Sequence, residues 1–205
     1  MSLAEGDRVL TRKGLHTRAK LVAAARSVFS QTAFAEARIT DITAAAQVAN
    51  GTFYTYFTSK EGIFREVAAE ALEALTTAPR RDPDNTEGDP ARDVAYASRQ
   101  FFLACRAHAR VLRSIEQLST SDDVVASTRR RALVSSAKRA ERWIRRLQDQ
   151  GICDPSLDAW HTAVALQAMN VSMGYDQLVL RDRPSDIDTL VRTVTRVWAK
   201  TVGLE

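Results

Sequence analysis

The segment Asn50–Phe57 holds the densest group of side chains that could recognise another molecule. Four aromatic residues fall within five positions, and one helix cannot turn all of them towards a core. Phe53 and Phe57 are four residues apart and are expected to be buried, which leaves the hydroxyls of Tyr54 and Tyr56 for polar contacts. The alternative is a purely structural aromatic cluster, and the crowding of the four rings argues against it.

The residues around these tyrosines suit a nucleic acid. Asn50, Gly51 and Thr52 are small enough to let the backbone approach base edges, and an asparagine can make a bidentate contact to adenine. The tyrosine hydroxyls can reach phosphates. Lys60 starts the next predicted helix, where its ammonium and the positive helix end both favour a phosphate.

Catalytic chemistry is not indicated. The sequence has no nucleophile–base pair and no phosphate-binding loop. The histidines and cysteines lack metal-ligand spacing: His16, His108, His161, Cys105 and Cys153. We therefore expect neither an enzyme nor a bound metal or cofactor.

Composition and charge agree with a helical DNA-binding protein. Glycine and proline are sparse in the 205 residues, at 8 and 5, which favours helices. The net charge is +4, and residues 1–65 hold nine basic and five acidic residues, so the whole excess lies in the first third. No signal peptide and no apolar run of membrane-spanning length is present, so we expect a cytoplasmic protein.

The elements that must position the candidate residues are all helical, and we expect an all-α fold of about nine helices. Residues 1–14 are expected to form a flexible basic arm. Predicted helices follow at 15–29, 39–46, 50–57 and 59–77, a loop at 78–90, and further helices at 90–107, 108–119, 122–150, 156–180 and 185–202. The turn at 47–49 makes 39–57 a helix-turn-helix, whose second helix lies in the major groove.

At this point the sequence resembles the TetR family of bacterial regulators over roughly residues 15–75. The resemblance rests on the run Arg18–Phe29, on Ile42 and on Val48–Glu61, chiefly Gly51-Thr52-Phe53-Tyr54-x-Tyr56-Phe57-x-Ser59-Lys60. It implies a homodimeric DNA-binding regulator, most often a repressor that a small molecule releases from a palindromic operator. The implied domains are 1–58 for DNA binding and 59–205 for ligand binding and dimerisation. The expected DNA contacts are Arg38, Thr40, Asn50, Gly51, Thr52, Tyr54, Tyr56 and Lys60.

The sequence departs from the family pattern at four positions. Ala33 and Gln47 stand where glycine is usual, and each would cost on the order of 1 kcal/mol if its φ were positive. Arg38 replaces the usual threonine cap, where it could add a phosphate contact, and Ala49 replaces a frequent serine cap. These changes affect stability more than DNA recognition.

The middle helices hold the candidate ligand pocket, which we expect to take a small, largely apolar molecule. Its expected lining is Phe101, Phe102, Cys105, Leu112, Ile115, Trp143, Met169, Asn170 and Met173, and plain core packing is the alternative for each. The arginine runs at 129–131 and 145–146 are interpreted as a solvated face. A site for an acidic or phosphate-bearing ligand, such as a CoA thioester, is the alternative for these runs.

The last two helices are expected to form the dimer interface as a four-helix bundle. The expected contacts are Trp160, Val164, Gln167, Val171, Leu190, Val194, Val197 and Trp198, with core packing within one subunit as the alternative. Two other functions remain open: a helical enzyme or ligand carrier with a vestigial DNA head, and a non-specific architectural DNA binder. The second would not need an apolar C-terminal block of more than 100 residues.

Overall fold

The computed structural model describes residues 11–181 and 185–204. Within these ranges the chain is helical and has no strand, as the sequence predicts. The described chain divides into two compact units, of which the first ends at Val67 and the second begins at Ala68. None of the described helices is long and apolar enough to cross a membrane.

The first unit contains α1 (Arg12–Gln31), α2 (Ile39–Ala45), α3 (Asn50–Tyr56) and the start of α4 (Lys60–Thr77). Arg12 to Gly14, which were expected to belong to a basic arm, instead form the first turn of α1, and the Thr11 hydroxyl caps it by accepting from Gly14 N at 3.2 Å. The rest of that arm, residues 1–10, lies outside the described residues.

Aromatic rings fill the core of the first unit. Phe29 and Phe64 meet edge to face with ring centroids 5.2 Å apart, and Phe34 contacts both of them. Leu21 and Ile42 are completely buried beside this cluster. This core fixes α2 and α3 on α1, so the surface of α3 is set by packing beneath it.

The second unit holds the remaining helices: the last turns of α4, then α5 (Pro90–Ala107), α6 (Ala109–Leu118), α7 (Asp123–Asp149), α8 (Ala159–Gly174), a π-helical segment (Tyr175–Leu180) and α9 (Ile187–Val202). Aspartates cap four of them by accepting backbone N–H groups: Asp89, Asp122, Asp158 and Asp186. Pro90 occupies the first position of α5, as predicted. Gly151 follows α7 with a φ of 70°, which confirms it as the residue that ends this helix.

The single helix predicted over 156–180 is interrupted. It is α-helical to Gly174 and π-helical beyond. A Cβ at Gly174 would lie 3.1 Å from both Cys105 Sγ and a ring carbon of Phe101, so a larger residue would require these two side chains of α5 to shift by a few tenths of an ångström. The Tyr175 hydroxyl then donates to Leu112 O, and Arg113 donates to Val179 O at 2.5 Å. These bonds hold the π-helical segment against α6.

Candidate nucleic-acid interface and internal cavity

The tight turn between α2 and α3 depends on one residue in an unfavourable conformation. Gln47 has a φ of 55°, and it is the only non-glycine residue with a positive φ in the described ranges. Val48 N donates to Thr43 O at 3.0 Å across this turn. The strain expected at Gln47 is therefore present, whereas Ala33, the other position where glycine is usual, has no positive φ.

Both short helices begin without a side chain that caps them. Arg38 and Ala49 occupy the cap positions, and neither side chain accepts a hydrogen bond from the helix. In α2, Asp41 compensates in part, because its Oδ2 accepts from Arg38 N at 3.0 Å. The first N–H groups of α3 are thus left without side-chain acceptors of the usual kind.

The two faces of α3 differ in the way the sequence predicts. Phe53 is completely buried and Phe57 nearly so, with their ring centroids 5.7 Å apart. Tyr54 is 61% exposed, and Tyr56 is half-buried. One face therefore anchors the helix, and the other presents polar groups to solvent.

Gly51 makes no packing contact that requires a glycine within the part of the chain that the structure describes. A Cβ at this position would have no atom within 4 Å, and the residue is exposed. A glycine inside a helix costs about 0.5–1 kcal/mol relative to alanine, so nothing in the protein's own packing accounts for it. Open space beside the backbone of α3 is what the approach of a base edge requires.

Asn50, which precedes this glycine, and Thr40 near the start of α2 are both exposed. The Thr43 hydroxyl donates to Asn50 Oδ1, so this oxygen already has one partner. A bidentate contact to adenine would require the same oxygen to accept a second bond. Thr52 is half-buried, and Arg38 is exposed at the start of α2.

Lys60 has partners other than the phosphate expected from the sequence. Its Nζ donates to Phe34 O at 2.7 Å and to Ala37 O at 2.9 Å, with Ala35 O at 3.5 Å. The same nitrogen lies 4.4 Å from the centroid of the Phe34 ring. An ammonium has three donors, so these carbonyl oxygens satisfy it and tie α4 to the segment before α2.

A cavity of about 520 Å³ lies within the second unit. Three residues of the predicted pocket line it: Phe101, Trp143 and Asn170. Asn170 is buried and accepts from Trp198 Nε1 at 3.2 Å, and the Trp198 ring meets Trp143 with centroids 5.9 Å apart. The sequence thus predicted part of the aromatic wall of this cavity. Asn170 also lines the cavity, but its side-chain oxygen already accepts a hydrogen bond.

The other predicted pocket residues lie elsewhere. Cys105, Leu112 and Ile115 line a separate space of only about 50 Å³, and burial raises the pKa of the Cys105 thiol to about 12. Phe102 is completely buried against Phe101 and lines neither space. Met169 and Met173 also line neither.

Sequence reasoning identified only Arg146 among the basic residues of the larger cavity, in the run 145–146 for which an anionic ligand was the alternative to a solvated face. Its lining includes five arginines: Arg80, Arg81, Arg139, Arg142 and Arg146. The first two fell in a predicted loop, and those on α7 were overlooked or assigned to a solvated face. A signal was available, because 139, 142 and 146 share the side of α7 that carries Trp143 and Leu147.

The residues expected at a dimer interface fall into two groups. Leu190, Val194 and Trp198 are at most 4% exposed and pack within the subunit, so they have no surface left for a partner. Gln167 and Val171 line the cavities. Val164 and Val197 are exposed, and Trp160 is half-buried.

The first unit matches a known family. The profile of the bacterial regulatory proteins of the TetR family matches residues 21–67, which include α2, α3 and most of α1. No curated protein sequence matches the chain significantly.

Solved structures share the fold of nearly the whole chain. A putative transcriptional regulator from Saccharomonospora viridis in complex with choline is 18% identical, with a TM-score of 0.71 over 92% of this chain and 98% of that one. The fatty acid degradation regulator FadR from Bacillus halodurans is 19% identical, with a TM-score of 0.66 over 89% and 94%. SmeT, the repressor of the Stenotrophomonas maltophilia multidrug efflux pump SmeDEF, is 17% identical, with a TM-score of 0.67 over 90% and 89%.

At these identities the solved structures establish the fold alone. The helix-turn-helix lies within residues 21–67, so this part of the chain is similar to the bacterial regulatory proteins of the TetR family.

Proposed function

We propose that this protein is a homodimeric, sequence-specific DNA-binding repressor that a small molecule releases from a palindromic operator. The observation that carries the proposal is the outer face of α3, where exposed Gly51 has no described atom near the position of a Cβ and lies near the exposed side chains of Asn50 and Tyr54. Such a glycine lowers the stability of a helix, and close approach of the backbone to a base edge accounts for its presence.

The proposed DNA contacts divide by function. Asn50, Gly51 and Thr52 face base edges, with Thr40 beside them on α2. Tyr54, Tyr56 and Arg38 contact phosphates, which fix the orientation of the helix without reading sequence. Few side chains then remain for direct readout, so we expect specificity to depend on a small number of bases in each half-site.

We propose a structural role for Lys60 and not the phosphate contact expected from the sequence. Since three carbonyl oxygens surround its ammonium in the DNA-free protein, we propose that it fixes the segment before α2. Arg38, at the end of that segment, depends on this support for its position. Lys60 is thus a positioning residue, and the tyrosines and Arg38 are the groups that touch DNA.

A dimer supplies the two reading heads, which must be one helical turn, roughly 34–36 Å, apart. We propose the outer face of α8 as the centre of the interface. From Ala159 to Gly174 this helix contains no aspartate, glutamate, lysine or arginine, although His161, Val164, Ala165, Ala168 and Ser172 are exposed along one stripe. Interface cores are depleted in charge in this way. Exposed Val197 on α9 extends the proposed surface, whereas Leu190, Val194 and Trp198 do not belong to it.

The dimer can be tested with one matched pair. Val164 and Val134 are 39% and 41% exposed, so Val164→Glu and Val134→Glu place the same charge on equally accessible positions. We expect Val164→Glu to shift the mass measured by light scattering to that of a monomer and Val134→Glu to leave a dimer. A dimeric Val164→Glu protein would place the interface elsewhere.

We propose that the effector is a small molecule that binds within the second unit. The similar structures include a fatty acid degradation regulator, the repressor of a multidrug efflux pump and a putative regulator in complex with choline, so one fold serves regulators of different processes. A cavity of about 520 Å³ has the size of a site for a small molecule. Ligand binding would shift the dimer population towards a form whose heads no longer match two successive grooves.

The DNA-binding experiment uses a fragment that the protein itself selects from sheared genomic DNA. We expect Arg38→Gln to weaken binding and to reduce the salt slope by about one per head, because one phosphate contact is lost. Tyr54→Phe should weaken binding about fivefold per head without changing the slope, because it removes a neutral hydrogen bond.

Tyr96→Phe and Arg130→Gln are the matched controls, since both lie in the second unit and remove the same groups. Binding to the selected fragment that equals binding to random DNA would favour an architectural protein. Unchanged affinity and slope in both head variants would exclude α3 as the DNA-reading helix.

A further inference from the structure

The larger cavity of the second unit has a cationic wall. Arg80 and Arg139 are half-buried in it, and the exposed Arg81, Arg142 and Arg146 also line it. Asp93 is the one acidic residue of this lining, and its Oδ1 accepts from Asp82 N at 3.1 Å and from Asn85 Nδ2 at 3.0 Å. That carboxylate is therefore occupied in holding the loop before α5.

These five arginines have no carboxylate partner among the described residues. Every ion pair formed by the 11–181 and 185–204 ranges involves other basic side chains. The Nε atoms of Arg80 and Arg139 are also buried without a hydrogen-bond acceptor. Buried donors that carry charge are normally satisfied, so two adjacent exceptions in one cavity require an explanation.

Each of the two half-buried guanidinium groups is also disfavoured by the charge of a neighbouring arginine. Burial and the charge of Arg139 lower the pKa of Arg80 to about 10, and burial and the charge of Arg142 lower the pKa of Arg139. Arg139 is held in place by donating to Ser135 Oγ at 2.8 Å and Ser136 Oγ at 3.3 Å. The protein thus positions charges side by side, and an anion between them would satisfy both.

The opposite side of the cavity is apolar. Phe101, Trp143 and Trp198 supply aromatic surface, and Val94 and Leu75 add aliphatic surface. A ligand that fits both sides has a charged end and a hydrocarbon or aromatic body. The exposed Arg81, Arg142 and Arg146 would attract such an anion from solvent.

We propose that this cavity binds an amphipathic anion, whose carboxylate or phosphate lies on Arg80 and Arg139 and whose apolar body packs on Phe101, Trp143 and Trp198. This inference rests on the proposed function for its regulatory meaning. It favours an anionic ligand, which the sequence left open as the alternative at the arginine run 145–146, over the largely apolar effector. It concerns the cavity alone, so it can be tested without DNA.

The probes are alkyl chains of equal length that differ only in the head group: decanoate, decyl phosphate, decanol and decyltrimethylammonium. Binding to the full-length protein is measured by calorimetry and by the thermal shift. We expect at least one of the two anions to bind tenfold or more tightly than decanol, since charge-assisted hydrogen bonds to the arginines are present only with the anions. The cation should bind more weakly than decanol. Comparing the two anions distinguishes a carboxylate from a phosphate site.

The variant that tests the assignment is Arg80→Gln combined with Arg139→Gln, and Arg130→Gln is its matched control on the exposed side of α7. The double variant should bind the anions no better than decanol while its decanol affinity stays within about twofold of the wild type. The control should keep the full preference for anions. A ligand-free melting curve establishes that each variant is folded.

Three results would overturn the proposal: equal affinity of the wild type for decanol and both anions, an anion preference that survives in the double variant, or no binding of either anion at about 1 mM. The failure of the proposed repressor function would be separate. It would appear as unchanged DNA binding in the Arg38 and Tyr54 variants, whatever the cavity binds.

Discussion

The outer face of α3 and the cationic wall of the cavity both carry polar groups, but in opposite environments. On α3 these groups are exposed, water satisfies them, and the helix is stabilised from beneath by Phe53 and Phe57. In the cavity Arg80 and Arg139 are half-buried, and part of their hydrogen-bonding capacity is unmet. The first site therefore has little effect on the stability of the DNA-free protein. The second site lowers the stability of the ligand-free protein, and a bound anion would remove this penalty.

The two sites should therefore respond differently to substitution. Substitutions on the solvent face of α3 should change DNA affinity with little loss of stability. Neutral substitutions in the cavity should raise the stability of the ligand-free protein and remove a binding function. Groups that support either site from within should behave as ordinary structural residues.

The largest effect on stability is expected at Lys60. Lys60→Ala removes the donor shared by the carbonyls of Phe34 and Ala37, and the free energy of unfolding should fall by about 2–3 kcal/mol. Lys20→Ala, an exposed lysine of α1, is the control and should change stability by less than about 0.5 kcal/mol. Chemical denaturation measures both. If the two variants were equally stable, and the salt slope of DNA binding fell only in Lys60→Ala, Lys60 would contact a DNA phosphate and would not be a positioning residue.

The substitution Arg80→Gln tests whether the cationic wall of the cavity lowers the stability of the ligand-free protein. The folded-state pKa of Arg80, about 10, lies well below the ordinary value of an arginine, so the charged form is disfavoured in the folded protein. This penalty is fully present below pH 10 and disappears as the pH rises from 10 towards the pKa of an arginine in the unfolded chain. At pH 7 we expect the variant to be more stable by about 1 kcal/mol, a rise in Tm of about 2–4 °C.

Arg130→Gln is again the control, and its Tm should not change. A lower Tm of ligand-free Arg80→Gln would mean that the guanidinium already has a stabilising partner, and the contrast between the two sites would disappear.

The smallest effect concerns the turn that joins α2 and α3. Gln47→Gly relieves the positive φ and should stabilise the protein by about 0.5–1 kcal/mol, while Ala33→Gly should destabilise it by a similar amount because no strain is relieved there. Thermal melts of the pair decide the question. A lower Tm of Gln47→Gly would show that contacts of the glutamine side chain stabilise the protein by more than its positive φ destabilises it. DNA affinity should stay the same in both variants.

The head of the protein was predictable because its signals are local. The spacing of Phe53 and Phe57, the turn at Gln47 and the absent cap at Ala49 all depend on neighbours within a few residues. These features needed no knowledge of the rest of the fold. The role of Lys60 escaped prediction because its partners are more than 20 residues away in sequence.

The cavity was predictable only in part for the same reason. Its aromatic residues follow from helical periodicity, but its charge arises where a segment between α4 and α5 meets one side of α7. Likewise, periodicity identified Leu190, Val194 and Trp198 as apolar positions of α9. It could not tell whether their partner was the same subunit or a second one.

The most direct test of the account is Gly51→Ala, because this glycine has no structural function that alanine would disturb. We predict that the variant is more stable than the wild type by about 0.5–1 kcal/mol and binds the selected DNA fragment at least tenfold more weakly. Gly62→Ala, whose new Cβ would lie an ordinary 3.8 Å from Ser59 Oγ, should keep its DNA affinity. A folded Gly51→Ala protein that binds this DNA as tightly as the wild type would contradict the account.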